Sequence, residues 1–275
     1  MYQITRWNTI QLVVFGSGAP NMDNFQDIQN TNEPMIIIDN LTKNYPNKQV
    51  INDLSLTVYK GELFGFIGRN GAGKSTTIEC MIGVRPFEKG TITIDGFDIK
   101  KDPIKVKQIL GYTSSEPITY DEMNGYRYLE FIASIYKMKT NVFLSNFEYL
   151  SKRLELSNED LNRPIKEYSH GMQQKICLVA SLLNNPKLWV LDEPTVGLDP
   201  FTANELTKMM REYVDHGNTC FVASHNIDLV SKLCDRVAII NKGKIIKIFD
   251  LKNNQRDRYE LAPYFFTHCE AKNEW

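Results

Sequence analysis

Leu63–Ile78 reads LFGFIGRNGAGKSTTI, and the rest of the chain takes its meaning from this stretch. It satisfies G-x-x-x-x-G-K-[ST] with Gly68, Gly73, Lys74 and Ser75 in the fixed places. An apolar run with strand character (Leu63, Phe64, Phe66, Ile67) precedes it, and a run able to form a helix (Thr76 to Ile82) follows. A phosphate chain is dense negative charge, and backbone N–H groups aimed inward receive it well. Glycines permit that curl because no Cβ clashes when φ turns positive. The opening turn of the following helix adds unpaired N–H groups and the positive end of its dipole. Lys74 is expected to reach the β- and γ-phosphates, and the Ser75 hydroxyl to ligate Mg²⁺. A glycine-rich turn with a chance lysine would not also supply the strand, the helix and the hydroxyl in order. The stretch predicts binding of a nucleoside triphosphate.

The remaining composition narrows the class. A chain of 275 residues accommodates one large domain, or a domain with a subdomain. Its 42% hydrophobic content and net charge of −1 describe an ordinary globular chain without the basic excess of a nucleic-acid clamp. Cys80, Cys177, Cys220, Cys234 and Cys269 are scattered, with no C-x-x-C pair, and read as free thiols in a reducing compartment. No apolar run approaches the roughly 18 residues that span a bilayer, so any membrane role is expected to come through a partner.

Along the chain, residues 1–34 combine a short apolar run (Ile10 to Phe15) with a polar segment rich in Asn, Gly and Pro. They make a poor signal peptide and read as a disordered leader, with the native start expected at Met35. Strands are expected at Met35–Asp39, Leu54–Val58 and Thr91–Ile94, the last closed by an Asp95-Gly96 turn. Tyr45 falls in the turn between the first two; it either stacks on an adenine or is a half-buried turn tyrosine, and spacing leaves both open. From about Pro117 to Pro164 the pattern becomes helical. Leu129, Ile132, Ala133 and Tyr136 form one stripe behind an Asn124 cap, and Phe143, Phe147, Leu150 and Leu154 form a second.

Ser169 caps a further helix whose apolar face is Met172, Ile176, Val179 and Leu183. Its start, Ser169-His170-Gly171, is either an ordinary cap or a second anion site. Leu188–Leu191 is a strand with Asp192 and Glu193 at its carboxyl end, where ligands sit in a doubly wound sheet. Asp192 is placed to hold Mg²⁺ opposite Ser75, and Glu193 to polarise an attacking water. Thr219–Ala223 is a strand followed by Ser224-His225, and His225 is either a structural or solvated histidine or one that hydrogen-bonds and senses the γ-phosphate. Val237–Ile240 and Ile245–Phe249 form a hairpin around Asn241–Lys244. After Asp250 no motif remains, and residues 251–275 read as a C-terminal tail.

Together these elements resemble the nucleotide-binding subunit of a bacterial ATP-binding cassette (ABC) transporter, over about Met35 to Asp250. The resemblance matches the Walker A loop to GRNGAGKST (Gly68–Thr76), Walker B to LWVLDEP (Leu188–Pro194), the D-loop to GLDP (Gly197–Pro200) and the switch histidine to His225. It matches the aromatic A-loop position to Tyr45 and the signature to YSHGM (Tyr168–Met172). It implies an α/β fold: a P-loop NTPase core with an antiparallel β subdomain and a helical subdomain at about residues 117–165. ATP and Mg²⁺ are the implied cofactors. ATP contacts are implied at Tyr45, Gly68, Asn70, Gly71, Gly73, Lys74, Ser75, Thr76, Ser169 and Gly171. Ser75 and Asp192 are implied for the metal, and Glu193, His225 and Lys74 for catalysis.

Two departures stand out. His170 and Met172 replace the glycine and glutamine of LSGGQ, while Ser169 and Gly171 remain. At the Q-loop, TSSEP puts Ser115 in place of the family's glutamine; the substitute oxygen ligand is either Glu116, next in the chain, or Ser115 through a water. The resemblance further implies an ATP-sandwich dimer with a second cassette and a transmembrane permease, and a cytoplasmic location on the inner face of the membrane. The Y-S-x-G-M-x-Q-K wording is similar to exporters of drugs, peptides or ions. The rival reading is a soluble or regulatory cassette ATPase without a transport role.

Overall fold

The computed structural model of the chain describes residues 33–46 and 48–269. The expected leader lies outside them except for its last two residues: Glu33 accepts from Lys60 Nζ at 2.7 Å, and Pro34 opens the first strand. In chain order come β1 (Pro34–Tyr45), β2 (Lys48–Tyr59), β3 (Leu63–Ile67), α1 (Lys74–Met81), β4 (Lys89–Ile94), β5 (Phe97–Asp98), α2 (Pro103–Ile109) and β6 (Leu110–Thr113). Three helices follow, α3 (Gly125–Ile135), α4 (Thr140–Arg153) and α5 (Asn158–Asn162), then a 3-10 turn at Ile165–Glu167 and α6 (His170–Leu182). The chain closes with β7 (Leu188–Asp192), α7 (Pro200–Asp215), β8 (Thr219–Ser224), α8 (Ile227–Leu233), β9 (Arg236–Asn241), β10 (Lys244–Asp250) and α9 (Gln255–Cys269).

Two sheets result. The small one runs β2-β1-β4-β5 and is antiparallel throughout. The large one runs β10-β9-β3-β8-β7-β6, parallel except for the hairpin strand β10. β3, β7 and β8 are buried at every residue. Parallel strands covered on both faces read as near-continuous apolar runs, as β3 and β7 do up to Asp192 and β8 does after Thr219.

Alternation then sorts the side chains to the two faces. Phe64, Phe66, Val190, Phe221 and Ala238 pack with α1 and the small sheet. Leu63, Ile67, Trp189, Leu191, Val222 and Val237 pack with α7, α8, α9 and the helical subdomain. Both expected helical stripes point inward: Leu129 and Leu154 are fully buried, and the side chain of Asn124 accepts from Arg127 N at 2.9 Å.

Two expectations change. β1 is longer than Met35–Asp39, because a left-handed Asn40 (φ 50°) and register shifts let the strand run on to Tyr45. Tyr45 is therefore the last residue of a strand, paired with Lys48, and not a turn residue. The supposed tail contains α9, with Leu261, Phe265 and Cys269 buried against the core. Three buried positions spaced by four make a narrow stripe. Exposed Tyr259 and Phe266 and the internal Pro263 hide that stripe from a pattern reading.

Candidate active site

The register of the large sheet brings three strand ends to one level. Ile67 at the end of β3 lies opposite Ser224 of β8, and Ala223 of β8 lies opposite Asp192 of β7. The groups that follow each strand therefore converge at its carboxyl end. After β3 the chain curls through Gly68–Gly73. A Cβ on Gly68 would come within 2.5 Å of the Ile240 carbonyl, and Gly71 and Gly73 take φ of 79° and 114°. Gly73 stands at the N-cap of α1, so the loop feeds straight into a helix start. Asn70 and Gly71 are exposed at its tip, Ser75 is exposed and Thr76 half-buried in the first turn. Lys74 is 6% exposed; its Nζ donates to Gly68 O at 2.8 Å and stands 3.2 Å from Glu193 Oε1.

The two carboxylates beyond β7 have opposite environments. Burial pushes the Asp192 carboxyl up from its ordinary range, and the neighbouring Glu193 charge adds to this. The hydrogen bond from Ser75 and the charge of Lys74 pull the other way without overcoming them. Asp192 is 1% exposed, and its Oδ1 has no hydrogen-bond partner. A buried oxygen left in that condition needs a cation or a donor.

Glu193 is also pushed up by burial, but the hydrogen bond from His225 and the charge of Lys74 outweigh this and hold it below the usual glutamate range. Its Oε2 accepts from Ser224 Oγ at 3.0 Å and His225 N at 3.2 Å, with His225 Nδ1 at 2.9 Å. Its backbone is left-handed (φ 48°), a conformation that costs a non-glycine residue energy and recurs at functional positions. Glu193 N to Ala223 O (2.9 Å) and Val196 N to Glu193 O (3.1 Å) hold it there. The result is an ionised, oriented acceptor beside the lysine: a fit base for a water, with His225 half-exposed as its positioning partner.

Other expected residues lie farther out. The Tyr45 ring is 36% exposed, with Lys43 Nζ and Arg85 Cζ at 5.6 and 5.5 Å from its centroid. Ser169 caps α6 by accepting from Met172 N at 3.3 Å. Gly171 and His170 pack on Gly197, where a Cβ would strike the His170 ring. Among the described residues no hydrogen bond joins Ser169–Met172 to the phosphate loop. Likewise none joins Ser115 or Glu116 to Asp192, Ser75 or Lys74; Glu116 is exposed and its carbonyl accepts from Ser114 Oγ.

Several participants were not singled out from sequence. Ser224 holds Glu193. Gln174, fully buried, donates to Ser114 O at 3.3 Å and ties α6 to the end of β6. Asp199 caps α7 by accepting from Thr202 N, with Lys175 of α6 at 3.5 Å. Neither Ser224 nor Gln174 stands out in the sequence: Ser224 closes an apolar run beside His225, and Gln174 lies between Gln173 and Lys175.

A strand–glycine-loop–helix unit, two carboxylates at the end of β7 and an inserted helical subdomain define an ATP-hydrolysing cassette. The family pattern described as ABC transporter matches residues 51–196, and the chain belongs to that family as an ATP-binding, ATP-hydrolysing subunit. It is 37% identical over 230 residues to the uncharacterised ABC transporter ATP-binding protein YhcH of Bacillus subtilis, covering 82% of this chain and 73% of that one. To the lantibiotic transport ATP-binding protein SrtF of Streptococcus pyogenes it is 32% identical, covering 82% and 96%. The solved ATP-binding subunit of an ABC transporter superposes with a TM-score of 0.75 at 26% identity, covering 83% of this chain and 99% of that one.

Proposed function

We propose that this chain powers an exporter of a drug, peptide or ion as one half of an ATP-sandwich dimer docked on a transmembrane permease. The observation that carries the reading is the division of anion-binding groups within one chain. Lys74 and its loop sit at the end of β3, whereas Ser169 and Gly171 belong to a different surface, packed beside the D-loop. A twofold partner would bring its Ser169 and Gly171 to this chain's phosphate loop, and the reverse. Exposed Val196 and Phe201 flank the D-loop and supply apolar surface for such a sister to cover.

Asp192 and Ser75 fit Mg²⁺, a hard cation that takes oxygen ligands: an unpartnered buried carboxylate oxygen with a hydroxyl beside it. When bound, the metal would neutralise charge on the phosphates. This chain's residues do the rest. Lys74 binds the terminal phosphates, Asn70, Gly71, Gly73 and Thr76 surround them, Tyr45 stacks the base, and Glu193 takes the proton of the water. His225 orients Glu193 and meets the γ-phosphate. Because that phosphate joins both chains, its loss lets them part, and the permease turns this closing and opening into alternating access.

Permease docking is supported by a groove of about 590 Å³ between β6 and α3, lined by Tyr112, Ser114 and Ile132 and edged by exposed Ile104, Ile118 and Ile135. Export, and not uptake, is supported by the likeness to the lantibiotic transport protein and to the linearmycin resistance protein of Bacillus subtilis, the latter 33% identical over 214 residues. The place of action would be the cytoplasmic face of the membrane. Copurification from detergent-solubilised membranes tests the reading. A multispanning partner whose recovery falls with Ile118→Asp is expected; a chain found only in the soluble fraction, with no membrane partner, would overturn it.

A further inference from the structure

The last described turn of α9 lies against the phosphate loop. Arg69, between Gly68 and Asn70, donates from Nη1 to Cys269 O at 3.3 Å. One residue back, Asn241 at the end of β9 donates from Nδ2 to His268 O at 2.8 Å. Both acceptors belong to the last described turn of α9. A guanidinium and an amide thus both donate to backbone carbonyls of that turn.

The contacts close into a ring. The Arg69 carbonyl accepts from Ala72 N at 3.0 Å, so the residue that reaches α9 with its side chain also closes the turn of the loop with its backbone. Ala72 O in turn accepts from Gly243 N at 2.9 Å, in the β9–β10 hairpin that carries Asn241. At its other end α9 is tied by Asp257, which accepts from Asp250 N at 2.8 Å, and its middle is buried through Leu261 and Phe265.

We propose that Arg69 is a positioning residue: it braces the phosphate loop on the last described turn of α9, so that this helix sets how tightly the loop holds a nucleoside triphosphate. The inference rests on the loop being the triphosphate site. A loop whose N–H groups already converge loses less conformational freedom when the anion arrives, and that saving appears as affinity. Arg69 is exposed and its guanidinium is engaged by a backbone carbonyl of α9. Its effect on binding therefore passes through the backbone turn at Ala72.

The test measures Kd and kcat for Mg-ATP in the full chain, in Arg69→Ala, in Arg69→Lys, in a chain ended after Phe265, and in the combination of that truncation with Arg69→Ala. Ending after Phe265 removes both acceptor carbonyls and keeps Leu261 and Phe265. Arg69→Ala and the shortened chain should each weaken binding about tenfold, about 1.4 kcal/mol, with kcat at saturating ATP within twofold. The combination should be no worse than either alone, and Arg69→Lys should recover most of the loss. Unchanged affinity in Arg69→Ala overturns the proposal. A further tenfold loss when Arg69→Ala is added to the shortened chain also overturns it, since Arg69 would then be touching phosphate directly. If the shortened chain does not fold, hydrogen exchange at the Ala72 amide decides: faster in Arg69→Ala supports the brace, and unchanged contradicts it. A wild-type chain that neither binds nor hydrolyses ATP would sink the triphosphate reading, a separate failure.

Discussion

Replacing Glu193 with glutamine keeps the shape of the side chain and removes its charge, and the structure gives two consequences of opposite sign. The first is on rate. Glu193 is the ionised acceptor at the end of β7, held by Ser224 and His225 through Oε2. Loss of a positioned general base typically costs about 10²–10⁴-fold. The second is on binding. Glu193 Oε1 stands 3.2 Å from Lys74 Nζ and, on the proposed function, would compete for the lysine with an incoming phosphate. A charged partner holds a donor better than a neutral one by about 1–2 kcal/mol, so Glu193→Gln should tighten ATP binding by about five- to thirtyfold. Phosphate release under saturating Mg-ATP gives the rate, and titration with a fluorescent ATP analogue gives the affinity. Turnover within tenfold of wild type would remove Glu193 as the base; affinity weaker than wild type would show that its charge does not restrain Lys74.

Asp192→Asn should abolish Mg²⁺-dependent hydrolysis yet raise the melting temperature of the metal-free chain. Burial raises the Asp192 pKa above its ordinary 3.8, so metal-free wild type loses stability as pH rises from there through the raised value. The asparagine variant should lack that slope in thermal melts, and a lower melting temperature in the variant at neutral pH would contradict it. Tyr45→Ala should weaken ATP binding about two- to tenfold, the worth of one aromatic stack of about 0.5–1.5 kcal/mol, and Tyr45→Trp should restore it; equal affinity in all three would leave Tyr45 as a strand-end residue only. Gly111→Ala should cost about 3 kcal/mol, because its Cβ would run into the backbone carbonyl of Ser181 on α6. At about 2–4 °C per kcal/mol for a chain of this size, melting should fall by about 6–12 °C, and an unchanged melting point would mean that β6 and α6 are not so closely packed.

Fully buried parallel strands explain why the fold was legible. β3 and β7 carry no polar residue before the functional end, and β8 only its opening Thr219, so their boundaries and the site stand out together. The helical stripes were equally clear, since their apolar positions face a single core. Tyr45 was placed on the wrong kind of element because Asn40 bends β1 without ending it, and a pattern of alternation cannot see a left-handed residue. α9 was invisible for a different reason: its narrow buried stripe is mixed with exposed aromatics and a proline. Within the site, Lys74, Asp192 and Glu193 could be placed from strand ends alone. The grip of Ser224 and His225 on Glu193, and of Arg69 on Cys269 O, depends on register between distant segments. No local sequence pattern records that register.

Light scattering of Glu193→Gln with Mg-ATP, with and without the added change Ser169→Arg, examines the shared phosphate site. A mass of about twice the 31.7 kDa chain with ATP, falling back to one chain when Ser169 is replaced, is the expected result. A chain that binds ATP tightly and still has the mass of a monomer, alone or together with its membrane partner, would contradict the sandwich and leave only a triphosphate-binding domain.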